Sequence, residues 1–179
     1  MILGVDKLLE LVKEKKLVEN LCDRELNNPE GAGFDIRIGE VYQINGDGFL
    51  GIEERQTPKE TLVAKYVEGE KNVFEFLPGK YYLMKTIEKV NTPSDIAILF
   101  RSRSTLYRSG IALFTGNVSP GYCGELTFGI TNLGQCPIKI EMGARVAHAM
   151  FYKVDGQTNL YRGQWQGGRV SANTTEKQV

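Results

Sequence analysis

Short apolar or alternating segments, separated by turn-forming residues, fill the sequence from Gly33 onward. Turn signals such as Asn-Gly-Asp-Gly at 45–48 and Pro-Gly at 78–79 recur between these segments. Runs of this length and spacing are typical of the strands of an all-β sandwich or barrel. The sequence therefore predicts an all-β fold, with strands at 36–44, 73–76, 81–90, 96–100, 126–131 and 146–153.

A single helix is predicted before the strands. Apolar residues recur at helical spacing from Val5 to Val18 among lysines and glutamates, as expected for an amphipathic helix. The 179 residues contain no internal repeat and no low-complexity linker, so we expect one domain over residues 1–169. The polar residues 170–179 are expected to form a mobile C-terminal tail.

The composition argues against several classes of protein. The chain has 22 basic and 22 acidic residues, so no global charge would attract nucleic acid or an anionic membrane. No apolar run approaches the roughly 20 residues that span a bilayer, and the N-terminus lacks a signal-peptide pattern. The three cysteines and single histidine show no zinc-ligand spacing. We therefore expect a cytoplasmic protein with reduced cysteines, no metal site of its own, and no nucleic-acid or membrane partner.

A dense group of arginine and hydroxyl side chains follows the predicted strand at 96–100. Residues 101–110 read Arg-Ser-Arg-Ser-Thr-Leu-Tyr-Arg-Ser-Gly, and we call them the Arg/Ser segment. Guanidinium groups are planar, permanently charged donors, and hydroxyl and backbone donors can complete a shell around a polyphosphate. A solvated turn is the alternative interpretation. The segment favours a phosphate-binding site that needs no cluster of metal ligands.

Five motifs in a fixed order resemble those of the trimeric dUTPase and dCTP deaminase superfamily. They read Ala-Gly-Phe-Asp-Ile-Arg-Ile-Gly at 32–39, Arg-Ser-Thr-Leu-Tyr-Arg-Ser-Gly at 103–110, Ser-Pro-Gly-Tyr-Cys-Gly-Glu-Leu at 119–126, Gly-Ala-Arg-Val-Ala-His at 143–148 and Tyr-Arg-Gly-Gln at 161–164. One such motif alone would be a weak signal, whereas the five together cover the chain to about Arg169. The resemblance implies a distorted jelly-roll β-barrel with a short N-terminal helix, and a homotrimer whose sites form between subunits.

The resemblance also implies roles for individual residues. The hydroxyls and backbone of Ser104 and Thr105 would contact phosphates, and Arg108 would stabilise phosphate charge or the carboxylate network of the active site. Arg103 would belong to the substrate-binding residues. Tyr122, which follows a Pro-Gly turn, would pack on the deoxyribose and leave no room for a 2′-hydroxyl. A glycine-containing segment near the C-terminus could close over the nucleotide. The expected substrate-binding set is completed by Asn117, Tyr161, Arg162, Gln164 and Gln166.

Three further residues have structural interpretations. Asp35 and Arg37 alternate with apolar neighbours and share one strand face, where they could form an ion pair. The resemblance makes Asp35 a support for the wall of the site. His148 replaces the glutamine usual in the superfamily, and a lone histidine on such a strand is expected to be a hydrogen-bonded structural residue.

The sequence departs from the superfamily pattern where the chemistry is expected. Ser119 stands at the position of the dUTPase aspartate that activates water, and a serine hydroxyl is not a general base near neutral pH. Gly129 stands at the position of the deaminase glutamate that shuttles protons. The nearest carboxylate is Glu125, four residues earlier, which resembles a structural residue of the dUTPases. The candidate catalytic residues are Ser104, Arg108, Ser119 and Glu125.

The leading hypothesis is a homotrimeric hydrolase that cleaves dUTP to dUMP and pyrophosphate, with Mg²⁺ carried on the substrate triphosphate. The Arg/Ser segment and the Tyr-x-Gly-Gln motif favour an alternative, a dCTP deaminase that forms dUTP or dUMP. The residues around Glu125 favour the dUTPase branch. A second alternative is a nucleotide-binding regulatory protein that lacks catalysis, since both acidic groups are absent.

Overall fold

The computed structural model describes residues 1–172 and 174–178. The fold is mostly β, with 45% strand and 12% helix. Its helices are α1 (Val5–Lys15), α2 (Asp23–Asn27) and α3 (Ser104–Arg108). Its strands are β1 (Val18–Glu19), β2 (Phe34–Asn45), β3 (Phe49–Leu50), β4 (Glu54–Gln56), β5 (Lys59–Lys65), β6 (Val73–Phe76), β7 (Tyr81–Asn91), β8 (Ile96–Ser102), β9 (Ile111–Phe114), β10 (Cys123–Asn132), β11 (Ile138–Glu141), β12 (Arg145–Lys153) and β13 (Glu176–Lys177).

Eight strands form one sheet that curls into a nearly closed barrel. Six of them follow the order β8-β12-β2-β7-β10-β9, while β1 pairs with β7 and β5 pairs with β2. After β9 the chain crosses to β8, where Val118 and Ile98 exchange backbone hydrogen bonds of 2.8 and 3.0 Å. This bridge joins the two ends of the sheet. The predicted distorted jelly-roll barrel with a short N-terminal helix is confirmed.

The core fills the barrel because the strands bury every second side chain. Along β7, every second residue from Tyr82 to Val90 is buried, as the two-residue period of a strand requires. Phe34 of β2 and Phe151 of the neighbouring strand β12 meet edge to face within the core, with ring centroids 5.8 Å apart. Two smaller sheets lie outside the barrel, one of β13, β4 and β3 and one of β11 and β6.

The N-terminal helix ends three residues earlier than predicted. Lys16 adopts left-handed dihedrals, with φ 52° and ψ 41°, and terminates α1. Leu17 and Val18 are buried and so continue the apolar pattern, but Val18 belongs to β1, which pairs with β7. The spacing of apolar residues indicates which residues are buried. A buried strand directly after a helix therefore extends the apolar pattern beyond the end of the helix.

Several short strands escape sequence detection. β5 exposes most of its residues, so it lacks the apolar alternation by which strands are recognised. β3 has two residues and β9 has four. These strands form because longer neighbours offer backbone partners to them, which the local sequence does not reveal.

The predicted tail at 170–179 lies against the protein in its described part. Ser171 and Ala172 are buried, and β13 pairs with β4. Asn173 and Val179 lie outside the described residues. The division of the chain into a domain at 1–169 and a mobile tail stays a prediction. Within the described residues, no helix is long and apolar enough to cross a membrane.

A buried ion pair joins β2 to β7. The Arg37 Nε lies 2.6 Å from Glu88 Oε1, and the Arg37 backbone N–H donates to Glu88 Oε2 at 2.8 Å. The Glu88 side chain is fully buried. The ion pair considered between Asp35 and Arg37 does not form, because Glu88 of the adjacent strand takes Arg37 as its partner.

We expect Arg37→Ala to lower the free energy of unfolding by about 3–5 kcal/mol, since it leaves the Glu88 carboxylate buried without its partner. Urea denaturation measures this change. Lys139→Ala is the control, because Lys139 and Glu75 form an exposed pair 3.9 Å apart that is worth about 1 kcal/mol or less. Equal losses for the two variants would contradict the assignment.

Candidate functional site

A pocket of about 340 Å³ lies at the edge of β10, beside the end of β9. β9 pairs with β10 only over Gly129–Asn132, so residues 126–128 have no strand on that side. The loop at 116–119 leaves β9 there and crosses to β8, which opens the gap. We call this gap the β10 pocket. Its walls come from that loop, from residues 126–128, and from side chains that include Ile44, Leu83, Tyr122, Tyr161, Trp165 and Arg169.

Tyr122 forms a fixed aromatic wall of the β10 pocket. Its hydroxyl donates to the Glu125 carbonyl at 2.6 Å, and its ring meets Tyr161 edge to face at 5.2 Å. The side chain is buried, and burial raises the pKa of Tyr122 to about 12, so the phenol is neutral at physiological pH. The preceding Gly121 has φ 83°, a left-handed conformation that glycine adopts without strain.

The C-terminal segment covers one side of the β10 pocket. Tyr161 N–H donates to the Pro120 carbonyl at 2.7 Å. The Gln166 side chain accepts from Cys123 N–H and donates to the Gly121 carbonyl, both at 3.2 Å. These contacts fix the segment against the turn that carries Tyr122. The predicted residues Tyr161 and Gln166 therefore lie at the pocket and beside it.

Arg162 and Gln164 of the segment do not line the pocket, whereas Trp165 does. The Gln164 amide donates to the Lys177 carbonyl, and Arg162 is exposed and forms no hydrogen bond or ion pair with a described residue. Trp165 lies under Arg55, whose guanidinium carbon is 4.6 Å from the ring centre. The Arg55 Nε and one Nη are buried and hydrogen-bond to no described residue.

A second pocket, of about 280 Å³, lies beside the Arg/Ser segment. Arg103 and Thr105 line it, together with Ser109, Lys139 and Arg145. The exposed residues Ser104 and Arg108 of α3 line neither of these two pockets. One chain thus brings Asn117, Ser119, Tyr122 and Tyr161 together, and it places the predicted phosphate-binding residues elsewhere.

A buried network of charges holds Arg103. Arg103 pairs with Asp35, and Arg145 Nη1 lies 2.9 Å from the same carboxylate. His148 Nδ1 is 3.0 Å from the other Asp35 oxygen, and burial lowers the pKa of His148. Asp35 N–H donates to the buried Glu25 at 2.9 Å. His148 is thus the hydrogen-bonded structural residue expected from its strand position.

The charges around Asp35 nearly cancel. Arg24 pairs with Glu25 and lies 3.0 Å from Glu30, so three arginines of this network face the three carboxylates of Glu25, Glu30 and Asp35. By contrast, Arg108 is exposed and pairs with no described carboxylate. Of Arg103 and Arg108, only Arg108 therefore has a guanidinium group that no described carboxylate neutralises.

The other candidate catalytic residues, Ser119 and Glu125, place no carboxylate in the β10 pocket. Ser119 lines the pocket, 3.5 Å from the Asn117 amide nitrogen. The Glu125 carboxylate lies against Gly168, outside the lining. A Cβ at Gly129 would overlap the Tyr81 hydroxyl. No aspartate or glutamate is among the described residues that line the β10 pocket.

Comparisons with known proteins identify the family of this chain. A dCTP deaminase-like family model matches residues 2–154. The dUMP-forming dCTP deaminase of Dictyoglomus turgidum is 28% identical over 86% of this chain and 81% of its own length. A probable deoxyuridine 5′-triphosphate nucleotidohydrolase of Aeropyrum pernix is 32% identical over 76% of this chain and 83% of its own.

Solved structures share the fold. The dCTP deaminase of Agrobacterium tumefaciens superposes with a TM-score of 0.64 at 17% identity, over 84% of this chain and 46% of that longer chain. This chain thus spans less than half of that protein. The barrel and its motifs define a member of the dUTPase and dCTP deaminase superfamily. Within that superfamily, the chain belongs to the dCTP deaminase-like family.

Sequence reasoning missed three residues near the β10 pocket. Arg55 lies over Trp165 but comes from β4, more than a hundred residues earlier. Thr127 lines the pocket, yet it is an ordinary strand threonine in sequence. Tyr81 covers Gly129 through the register of β7 with β10. A glycine inside a strand was the one available signal, because such glycines often mark a close approach.

We expect Arg55→Ala to loosen the C-terminal segment, because the guanidinium contact with an aromatic ring is worth about 0.5–2 kcal/mol. The chain has one tryptophan, so a red shift of its fluorescence reports exposure of Trp165, and limited proteolysis reports opening of the segment. Lys59→Ala, an exposed substitution on β5, is the control. Unchanged emission and cleavage in Arg55→Ala would show that Arg55 does not hold the segment.

Proposed function

We propose that this chain hydrolyses dUTP to dUMP and pyrophosphate. Membership of the family supports a nucleotide-metabolising hydrolase, and relatives carry the names of both dCTP deaminases and dUTP nucleotidohydrolases. The β10 pocket has the size of a nucleoside site, and the fixed ring of Tyr122 supports a contact with deoxyribose. Asn117, Tyr161 and Gln166 would complete the nucleoside site.

The contact between Tyr81 and Gly129 is the observation that favours dUTP over dCTP as the proposed substrate. Deamination needs a group that moves protons at the base, and the resemblance places the deaminase glutamate at position 129. Here the residue is glycine, and the Tyr81 hydroxyl takes the space of a side chain. A neutral phenol does not replace a carboxylate base near pH 7. The dCTP deaminase reaction, forming dUTP or dUMP, is therefore the less supported alternative.

The phosphate-binding residues support an assembly in which subunits share a site. Arg103, Ser104, Thr105 and Arg108 do not face the β10 pocket of their own chain. In a homotrimer, the Arg/Ser segment of one subunit would meet the pocket of its neighbour, as the resemblance implies. The uncommitted Arg108 would then stabilise phosphate charge, and Arg162 and Gln164 would reach the phosphates after the C-terminal segment rearranges.

Mg²⁺ would enter with the substrate. The described residues contain no group of three or more His, Cys, Asp or Glu that could hold a metal ion. Phosphate oxygens and water would therefore be its ligands, and its charge would stabilise the leaving pyrophosphate.

The chain's own residues would bind and orient the reactants. Ser119 would orient the attacking water without removing its proton, and Glu125, behind Gly168, would act only if the segment moved. Slow hydrolysis is the expected consequence. The chemistry and the charge balance of the chain support a cytoplasmic location.

A nucleotide-binding regulatory protein is the second candidate, and one observation favours it. The described lining of the β10 pocket contains no carboxylate, so the pocket offers no general base for hydrolysis. Binding would then persist without turnover.

Incubation of the purified protein with dUTP or dCTP, with and without Mg²⁺, tests the proposal. We expect dUMP and pyrophosphate from dUTP, with little product from dCTP, as separated by chromatography. Deaminated product from dCTP would favour the deaminase, and saturable binding without product would favour the regulatory protein. A protein that neither binds nor converts these nucleotides would contradict all three.

The variant Ser119→Asp separates a slow hydrolase from a binding protein. If the position lacks only a base, a new carboxylate should raise dUTP hydrolysis by about 10²-fold or more, the usual range of general-base catalysis. Ser119→Asn is the matched control, because asparagine has the size of aspartate and no basic group. An equal rate in the two variants would show that position 119 does not contact the attacking water.

Mixing two inactive variants tests the shared site. Arg108→Ala removes an exposed arginine, and Asn117→Trp fills the β10 pocket from an exposed loop position. Each variant alone should be inactive. Unfolding and refolding the two together should restore about a quarter of wild-type activity, because random trimers then contain sites with both halves intact. No recovery in mixed trimers, verified by light scattering, would place both residues in one subunit's site.

A further inference from the structure

Because Gly129 has no side chain, it leaves a space on the face of the sheet, and a side chain of a neighbouring strand fills this space. Glycine inside a strand is unfavourable, and it often marks a place where another group approaches the backbone closely. Here that group is the Tyr81 hydroxyl of β7, which lies where a Cβ of residue 129 would stand. Tyr81 is 43% exposed and its ring lies 6.2 Å from that of Phe114.

The space beside Gly129 lies at the end of the β10 pocket. Gly129 is in register with Leu83 on one side and with Phe114, the last residue of β9, on the other. Leu83 and Phe128 both line the pocket. Tyr81, Gly129 and Phe114 are not themselves among the lining residues, so the Tyr81 hydroxyl stands just beyond the lining, next to Leu83 and where β9 ends.

Two hydroxyl groups at this end have no hydrogen-bond partner among the residues that the structure describes. Thr127 lines the pocket, and its hydroxyl oxygen is buried without a hydrogen bond to any described residue. The cross-strand neighbour Lys85 is engaged with Glu40, at 2.8 Å, and does not satisfy it. The Tyr81 hydroxyl likewise makes no hydrogen bond with a described residue. A buried hydroxyl without a partner is costly and calls for an explanation.

We propose that the hydroxyls of Tyr81 and Thr127, on either side of Gly129, bind the polar edge of the pyrimidine base. Thr127 and Gly129 point to the same sheet face because they are two residues apart on one strand. A hydroxyl can donate and accept, so the pair matches the adjacent carbonyl and N–H groups of a pyrimidine. The assigned contact rests on the proposed nucleotide function and names the residues that read the base.

A base is a better occupant of this end than a phosphate. Among the described residues that line the pocket, Arg169 is the one arginine or lysine, and it is bound to the Ser171 carbonyl and to Glu176. Beside Gly129, Lys85 is paired with Glu40. Leu83, Phe114 and the ring of Tyr81 supply apolar surface for a planar ligand. Phosphate groups require charged or multiple donors, and those lie in the Arg/Ser segment.

Tyr81→Phe and Thr127→Val test the proposal, because each removes a hydroxyl and nearly preserves shape. Calorimetric titration with dUMP and with dCMP should show affinity lowered by about five- to tenfold in each variant, as expected for a lost hydrogen bond. The KM for dUTP should rise by the same factor, with kcat within about twofold. Tyr152→Phe and Thr61→Val, on β12 and on the exposed side of β5, are the matched controls and should bind as the wild type does.

Thermal unfolding separates base recognition from a structural role. Thr127→Val removes a buried unpaired hydroxyl, so its Tm should equal or exceed that of the wild type while its affinity falls. A lowered Tm with unchanged affinity would make Thr127 a structural residue and overturn the proposal. Wild-type affinity for dUMP in both variants would overturn it as well and leave the proposed function intact. A wild-type protein that binds neither dUMP nor dCMP would overturn both.

Discussion

The backbone pairing of Val118 with Ile98 determines where the β10 pocket can exist. Because the loop after β9 crosses to β8 to make these two hydrogen bonds, β9 separates from β10 at Gly129. The sheet is thereby closed at one side and left open at another. Tyr122 and the C-terminal segment occupy part of the opening, and the remaining space is the pocket. Barrel closure and pocket formation are two results of one crossing.

Charge in the Arg/Ser segment is divided between holding the fold and facing solvent. Arg103 and Arg145 share Asp35, and breaking such a buried network by removing one member is costly. This network ties β8 and β12 to β2 and to α2, and it gives α3 a fixed position. Arg108 at the end of α3 is then held on the surface, paired with no described carboxylate, as the proposed phosphate contact requires.

The sequence predicts the barrel well because its long strands bury alternate residues, as β7 shows. The motif at 119–126 likewise contains Ser119 and Tyr122, which line one pocket. Contacts between distant segments are not predictable in this way. Glu88 as the partner of Arg37, Arg55 over Trp165, and Tyr81 over Gly129 each depend on a strand register that no local pattern records. Asp35 is recognisable as structural, whereas its four partners depend on how three strands and α2 meet.

Gly129 and Tyr81 constrain how this site can change by mutation. Any residue larger than glycine at 129 would meet the Tyr81 hydroxyl, so such a substitution carries the penalty of displacing the Tyr81 side chain, which is 43% exposed. The replacement of Tyr81 by a smaller residue carries no such penalty. A lineage that acquires an acidic side chain at 129 must therefore move or replace the Tyr81 side chain, so substitutions at the two positions are coupled by packing.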